Sequence, residues 1–460
     1  MKATFLYNAV TQKTSSLVFR PGNKWENRLK TLNNHFLWQN GLAALALGLV
    51  LGCSGPADKG DTKTATNDTP STPVATTDSA AKRPTPPGDG VKPTGDTIKL
   101  GVIGSLTGDQ KPWGEDSIEA AKMAVKEFND AGGLGGKKVE LLVGDSASKA
   151  EQAKSAAEKL ISDGVIGIIG EVASGHTIQI AKSAFSRAIP VVAIGATKTT
   201  LTDEGTHVVR VCYTDDLQGP VMARFAYEAL GLRKVGVMTD NKQPYSQGLS
   251  KSFSDKFKAL GGDIVAEEFY ESGQTQFSGQ ITELKAKNPD GLFLSGYFTE
   301  VGPIAQQVKQ AGLSVKLMGG DGWDSPQLLV SGGDAIIGSF FCNHYNNKED
   351  RPEVKGFLKK WGGAHGGKEP GTTMAALGYD ATNLLLDALK RASTAKKDYS
   401  SQDIIVALND TENFPGVSGK ITLKGNGGNP PKRALVVEVK SQADGFQVFR
   451  KAYEPGDASK

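Results

Sequence analysis

Strand-like and helix-like segments alternate along most of this chain, and that alternation restricts the fold more than any other feature. The apolar run 98–104 is followed by apolar residues at helical spacing, which stop at Gly132, and then by a second apolar run, 139–143. Parallel strands need a crossover between them, and a helix is the usual one. The pattern therefore predicts an α/β fold whose sheets are mostly parallel and carry helices on both faces.

The alternation falls into two blocks of the same plan, which predicts two lobes. A mainly helical stretch after Tyr345 indicates that the chain crosses between the lobes more than once, forming a hinge with a cleft between the lobes. The predicted boundaries are 97–216 plus 346–425 for lobe one and 217–345 plus 426–455 for lobe two. Ligands of open α/β sheets bind at the carboxyl ends of the strands, so we expect the site in this cleft.

Apolar periodicity places the remaining elements. The further predicted strands are 165–169, 190–194, 208–211, 235–238, 264–269, 292–294, 315–318, 421–423, 435–439 and 446–449. The further predicted helices include 174–188, 217–230, 354–361, 374–389 and one that ends at Asp163 and begins with a capping box at Ser148 and Glu151.

A short apolar run ends at a cysteine near the N-terminus. Residues 41–52 are apolar or small, Cys53 follows them, and Arg28 and Lys30 precede them. The residues into the cysteine resemble the lipobox of a bacterial lipoprotein precursor, which implies that residues 1–52 are a signal peptide and that Cys53 is lipidated. The run is shorter than the roughly 20 apolar residues that span a bilayer. An ordinary signal peptide and an uncleaved anchor are the alternatives.

The segment after that cysteine is polar. Residues 53–96 are rich in Thr, Pro, Ser and Asp, contain no aromatic residue, and have only Val74 and Val91 as larger aliphatic residues. Such a segment buries too little apolar surface to offset its ordering entropy, so we predict a disordered tether. Together with a lipidated Cys53, it predicts a domain held at a membrane, in the periplasm or on the cell surface.

Charge and cysteine content exclude several functions. The formal charge is +3, of which the 52-residue leader contributes +5 from six basic residues and one acid, leaving −2 for the rest. A near-neutral chain lacks the basic surface that binds nucleic acid. Cys212 and Cys342 lie in separate strand-like runs, and we interpret them as buried free thiols, with a disulfide between them as the alternative. The spacing of histidines and cysteines predicts no metal site.

The motifs of common α/β enzymes are missing or incomplete. Residues 362–368 match the spacing of a phosphate-binding P-loop, but Glu369 stands where Ser or Thr is needed and no buried strand leads into it. No G-x-S-x-G nucleophile elbow occurs. Asp145, Asp240 and Asp321 follow strands, where turn-forming aspartates are more common than catalytic ones. We therefore predict a protein that is not an enzyme and needs no cofactor.

Small hydroxyl, glycine and aromatic residues gather at the junctions from strand to helix. Hydroxyls and free N–H groups at helix N-termini bind a carboxylate. A carboxylate on the opposite lobe would pair with an ammonium group, and aromatic rings would enclose an apolar side chain. The pattern predicts that a zwitterionic amino acid binds between the lobes. These junctions are 105–108, 113–114, 173–175, 195–197, 244–246, 296–297 and 320–323.

From about residue 98 to residue 449 the chain resembles the branched-chain amino-acid-binding proteins, the periplasmic Leu/Ile/Val receptors of ABC importers. The resemblance implies a type I periplasmic-binding-protein fold. The supporting segments are IKLGVIGSLTG (98–108), VIGIIGEVASGHT (165–177), DLQGP (216–220), TDNKQPYSQGL (239–249), LSGYFTEVGPI (294–304) and LMGGDGW (317–323).

The resemblance also implies a role for seven residues. Hydroxyls on two of them would bind the ligand carboxylate, one glycine would contact the ligand through its backbone, and three aromatic residues would enclose its side chain. The acidic residue would pair with the ammonium group; the family often has glutamate there, and the shorter aspartate leaves the particular amino acid open. In the same order these residues are Ser174 and Thr197, Gly195, Trp113, Tyr245 and Tyr297, and Asp321.

The sequence thus predicts a monomeric, lipid-anchored binding protein that captures Leu, Ile, Val or a close analogue and delivers it to an ABC permease. Two alternatives remain open at this level. The same lobes could form the sensor of a receptor or regulator, or the ligand could be urea, a short amide or an aromatic acid.

Overall fold

A computed structural model describes residues 83–457, and two β-sheets organise them. The first sheet contains β1 Thr97–Gly104, β2 Lys138–Asp145, β3 Ile168–Ile169, β4 Val191–Ala193 and β5 Val208–Arg210. The second contains β6 Lys234–Asp240, β7 Asp263–Tyr270, β8 Gly291–Ser295, β9 Lys316–Gly319, β10 Phe340–Asn343, β11 Ala434–Val439 and β12 Gln447–Tyr453. The α-helices are α1 Lys111–Asp130, α2 Ala150–Ser162, α3 Ser174–Phe185, α4 Asp215–Arg224, α5 Pro244–Ala259, α6 Ser278–Ala286, α7 Phe298–Gln310, α8 Gln327–Gly332, α9 Pro352–Ala364, α10 Met374–Ala395 and α11 Ser401–Asn409.

The first sheet is entirely parallel and has the strand order β2-β1-β3-β4-β5. Its inner strands are buried on both faces, which explains why β3, β4 and the second half of β1 are continuous apolar runs without alternation. The second sheet has the order β12-β11-β10-β9-β8-β6-β7. Strands β6 to β10 are parallel, and β11 and β12 close one edge as antiparallel strands. The predicted α/β class with two lobes is confirmed.

The chain passes between the two sheets three times. It leaves the first sheet after β5, and α4 packs against β10 and β11 of the second. After β10 it returns, and α10 packs against α1, β3 and β4 of the first sheet. The third passage connects α11 to β11. We call the first sheet with α1–α3 and α9–α11 the first lobe, and the second sheet with α4–α8 the second lobe.

The predicted capping box at Ser148 is wrong. Ser148 has a left-handed backbone with φ of 56°, and α2 begins only at Ala150. Its hydroxyl instead accepts a hydrogen bond from the backbone N–H of Gln110 at 3.0 Å and donates to the Thr107 carbonyl at 3.0 Å. Ser148 therefore ties two loops of the first lobe together, which a local sequence pattern does not reveal.

Other elements differ in extent. The predicted strand 165–169 is reduced to Ile168–Ile169, and 421–423 forms only an isolated bridge between Ile421 and Phe414. Helix α11, which no prediction included, begins with a genuine capping box made by Ser400 and Asp403. The predicted helix 217–230 begins two residues earlier and ends as a π-helical turn, Phe225–Ala229.

The end of the predicted disordered tether is part of the fold. The Arg83 guanidinium donates hydrogen bonds to three backbone carbonyls of the segment 202–208. Val91 exchanges two hydrogen bonds of 2.8 Å with Ser401 at the start of α11. The tether prediction is therefore wrong for residues 83–96, which lie against the first lobe.

Residues 1–82, with the predicted signal peptide, Cys53 and the rest of the tether, lie outside the described residues. Between residues 83 and 457, no helix is long and apolar enough to cross a membrane. Cys212 and Cys342 are buried free thiols, and burial raises the pKa of Cys212 to about 12.

Candidate ligand-binding site

A small cavity lies between the lobes at the carboxyl ends of the strands, where an open α/β sheet binds its ligands. Six of the seven residues predicted for the site line it. Thr197, the seventh, is buried just behind the wall, where its hydroxyl lies 3.3 Å from the Gln218 amide nitrogen. The lining residues are Trp113, Val172, Ser174, Gly195, Tyr245, Tyr297, Asp321, Gly322 and Met374.

The first lobe presents a hydroxyl and a helix N-terminus to the cavity. Ser174 is the first residue of α3 and is buried, with its hydroxyl accepting a hydrogen bond from the Lys198 backbone N–H at 3.2 Å. The first N–H groups of a helix have no intrahelical partner, so this end attracts an anion. At Gly195 a Cβ would lie 3.0 Å from Val172 and from the Met374 sulfur, so only glycine leaves the wall its present shape.

A glutamate holds the segment that leads into α3. The Glu171 carboxylate is buried and accepts hydrogen bonds from the hydroxyls of Ser105 and Ser146 and from the backbone N–H of Ala173. His176 lies 3.0 Å away. Burial alone would raise the pKa of Glu171, but His176 and these donors hold it below the ordinary value. This network fixes the loop from which Ser174 faces the cavity.

Three aromatic rings enclose the cavity from both lobes. Trp113 meets the Tyr297 ring edge-on at 5.2 Å, and Tyr245 stacks on Tyr297 at 5.2 Å. The Trp113 indole N–H donates to the Asp324 carbonyl at 2.7 Å, which joins the first lobe to the second. The Tyr297 hydroxyl is buried and has no hydrogen-bond partner among residues 83–457. It is a free polar group for a ligand.

The second lobe supplies a buried carboxylate. Asp321 follows β9 and begins a single 3-10 turn. Its Oδ1 accepts a hydrogen bond from Gln218 at 2.9 Å, and its Oδ2 lies 3.0 Å from His344 Nε2. At Gly322 a Cβ would come within 2.7 Å of the Gly296 carbonyl, so this glycine lets the turn approach the cavity wall.

A second carboxyl group lies behind the first. Asp215 begins α4, is fully buried, and accepts a hydrogen bond from the same Gln218 nitrogen at 2.8 Å. Burial, together with the charge of Asp321, raises the pKa of Asp215 to about 7, although Gln218, Thr197 and Arg210 oppose the shift. Asp215 therefore titrates near neutral pH.

Several of these residues could not be predicted from the sequence. Met374 and Val172 complete the wall beside Gly322 of the predicted junction 320–323, and no local pattern indicates that the start of α10 reaches the cavity. Gln218 lies in the segment 216–220, which supports the family resemblance, but the sequence around it does not predict a role for its side chain. The residues next to Asp321 are contributed by distant segments, which only the folded chain brings together.

The other residues that sequence reasoning weighed have structural roles. Asp145 accepts hydrogen bonds from the backbone of Leu106, Thr107 and Ala147, and so closes turns. The glycine-rich segment 362–368 completes the end of α9 and the turn after it, with no strand before it. In the described part of the chain, no group of three or more His, Cys, Asp or Glu residues could hold a metal ion.

Known proteins share this architecture. The sequence profile of the periplasmic binding protein family matches residues 97–445. A Leu/Ile/Val-binding protein homologue of Brucella abortus is 30% identical over 329 residues, which are 71% of this chain and 85% of that protein. The leucine-binding protein LivK of Thermotoga maritima is 36% identical with a TM-score of 0.73, over 78% of this chain and all (100%) of that one.

The branched-chain amino acid transporter substrate-binding protein LivJ of Streptococcus pneumoniae was solved in complex with isoleucine. It is 28% identical with a TM-score of 0.70, over 78% of this chain and 99% of that one. The matches span nearly the whole of these proteins and the two-lobed fold is the same. The chain therefore belongs to the family of periplasmic branched-chain amino-acid-binding proteins.

Proposed function

We propose that this protein binds a branched-chain amino acid in the cavity between its lobes and has no catalytic activity. The proposal rests on one observation: one wall of the cavity favours an anion and the opposite wall favours a cation. The N-terminus of α3 with Ser174 attracts a carboxylate, and Asp321 faces it from the second lobe as an acceptor for an ammonium group. Trp113, Tyr245 and Tyr297 supply an aromatic wall against which an apolar side chain would pack.

The lining of the cavity supports a small zwitterionic ligand. Its polar groups match the two ends of a zwitterion, and its remaining wall is aromatic or aliphatic. Leucine, isoleucine and valine combine these features.

The proposal extends to transport. In this proposal lipidated Cys53 anchors the protein to a membrane. The protein captures its ligand in the periplasm or at the cell surface and delivers it to the permease of an ABC importer. The names of the relatives support the transport role. The resemblance of the residues before Cys53 to a lipobox supports the anchor.

Calorimetry on the soluble chain that begins at residue 54 tests the ligand. We expect binding of at least one of Leu, Ile and Val, with competition among them. Urea, short amides and 4-hydroxybenzoate serve as the contrasting ligands. Binding of one of these, with none of the three amino acids, would overturn the proposed ligand. Uptake of labelled leucine by cells that lack the gene would separate the two remaining roles, because loss of uptake supports transport and unchanged uptake supports a sensor.

A further inference from the structure

A single buried amide connects the Asp321 carboxylate in the cavity wall to the Asp215 carboxyl group behind it. Gln218 lies on α4, and its side chain is fully buried. Its Nε2 donates to Asp215 Oδ1 at 2.8 Å and to Asp321 Oδ1 at 2.9 Å, and lies 3.3 Å from the Thr197 hydroxyl. Its Oε1 accepts the backbone N–H of Asp321 at 3.1 Å. The amide thus contacts Asp321 through both backbone and side chain.

The chemistry of the neighbours fixes the orientation of this amide. A primary amide has two N–H donors on one side and a carbonyl acceptor on the other. Here the donor side faces two carboxyl groups and the acceptor side faces an N–H. The opposite orientation would place the amide oxygen against the carboxyl oxygens. The approach also needs a glycine: a Cβ at Gly320 would lie 2.8 Å from Gln218 Oε1.

The other oxygen of Asp321 is held from a different direction. His344 Nε2 lies 3.0 Å from Oδ2, and the imidazole stacks on the Tyr213 ring at 4.1 Å. Gln218 and His344 together leave the carboxylate one orientation. An acceptor held in this way loses little conformational freedom when a ligand binds.

We propose that Gln218 is a positioning residue, which holds the Asp321 carboxylate in the orientation that accepts the ammonium group of the ligand. This inference rests on the proposed function, because it needs an amino-acid ligand. It adds a residue that does not line the cavity and acts on the ligand through Asp321. Gln218 is also close to Thr197 of the first lobe, so the acceptor is oriented relative to the first-lobe wall.

A double-mutant cycle on leucine affinity tests the role, since coupled residues lose less together than separately. We expect Gln218→Leu to weaken leucine binding about 10- to 100-fold, the range for hydrogen bonds to charged groups. In an Asp321→Asn background the same change should weaken binding by less than about 3-fold. A residue that only stabilises the fold would instead weaken binding by the same factor in both backgrounds.

Gln307→Leu is the matched control. Gln307 also makes two amide hydrogen bonds, to the Phe277 N–H and the Thr275 carbonyl, but is not part of the cavity or its polar network. We expect it to lower stability and leave leucine affinity unchanged. If Gln218→Leu does not fold, Gln218→Met removes the same hydrogen bonds with a more flexible side chain. Unchanged affinity in the folded Gln218 variant, or equal factors in both backgrounds, overturns the proposal while leaving leucine binding by the native protein in place.

Discussion

At the scale of single residues, we expect the selectivity of the cavity to depend on Asp321. This is the only acidic side chain that lines the cavity within the described residues. We expect Asp321→Asn to weaken leucine binding by about 2–4 kcal/mol, because the buried ammonium group loses its charge partner. Calorimetry measures this loss. Asp334→Asn, on an exposed residue of the same lobe, should leave affinity unchanged. An Asp321→Asn variant with native affinity would exclude the ammonium-binding role.

The neighbouring Asp215 predicts a pH dependence of binding. Its pKa of about 7 means that the free site keeps a proton in acid, and a bound ammonium group favours the ionised carboxylate. Leucine affinity should therefore rise as the pH increases from about 5.5 to 7 and level off above. Asp215→Asn should remove most of this dependence. Titrations of both proteins across this range test it, and identical profiles would contradict it.

Asp215 also predicts a change in folding stability with pH, opposite in direction to the change in leucine affinity. Between about pH 4 and pH 7 the native Asp215 keeps a proton that the unfolded chain has lost, since its pKa is raised. The free energy of unfolding contributed by this group should fall as the pH rises, by up to about 1.4 kcal/mol per pH unit. Asp215→Asn should flatten that slope in denaturant unfolding of the ligand-free protein. A slope equal to that of the native protein would show that Asp215 titrates normally.

Residue type at a strand end was enough to find most of the cavity wall. Ser174, Gly195, Tyr245, Tyr297 and Asp321 all follow strands, and parallel strands bring their carboxyl ends to one edge. The groups that orient Asp321 could not be predicted in the same way. Gln218 lies within a helix and His344 follows the edge of β10, and their meeting depends on how distant segments pack.

At the scale of elements, the contact of α1 with the loop after β1 is unusually close. A Cβ at Gly114 would lie 2.1 Å from the Ser105 carbonyl oxygen, next to Trp113 in the cavity wall. We expect Gly114→Ala to destabilise the protein by at least about 2 kcal/mol and to weaken ligand binding, because the backbone must move. Urea unfolding and calorimetry measure the two effects.

Gly356 provides the control for that substitution. It lies exposed within α9, and no atom would come within 4 Å of an added Cβ. Alanine there should stabilise the helix by up to about 1 kcal/mol, since glycine is the poorer helix former. If Gly114→Ala behaves like Gly356→Ala, the close packing of α1 is not the constraint we infer.

Periodicity predicted the elements well wherever packing follows from local pattern. Continuous apolar runs identified the buried parallel strands, and spacing identified α1 and α10. The failures occurred where distant groups decide the conformation. Ser148 forms hydrogen bonds with the loop after β1 instead of capping α2. Ile421 forms only an isolated bridge with Phe414, so no strand develops there.

At the scale of the whole molecule, the chain crosses three times between lobes that enclose one cavity. Trp113 and Asp324 join the lobes beside that cavity. The Asp324 carboxylate also accepts hydrogen bonds from the Thr373 N–H at 2.7 Å and hydroxyl at 2.6 Å, at the start of α10. A second-lobe carboxylate thus caps the longest helix of the first lobe. Trp113 therefore belongs both to the cavity wall and to the contact between the lobes.

The N-terminal segment 83–96 belongs to this molecule as a structural part, and Arg83 is its main attachment. Three carbonyls of the segment 202–208 and the Asn409 side chain accept its hydrogen bonds. Desolvation by burial lowers the pKa of Arg83 to about 10, opposed by Asp203. Arg83→Ala removes these hydrogen bonds from a partly buried charged group, so we expect the free energy of unfolding to fall by about 2–4 kcal/mol.

Lys92→Ala is the control for Arg83→Ala because Lys92 is a cation of the same segment whose ion pair with Asp398 is exposed. Exposed pairs contribute little, so Lys92→Ala should unfold at nearly the native urea concentration. Leucine affinity should be native in both variants, since neither residue lines the cavity. Equal unfolding midpoints for the two variants would show that the segment rests on the first lobe without stabilising it. A midpoint lowered only by Arg83→Ala would show that Arg83 is part of the folded domain.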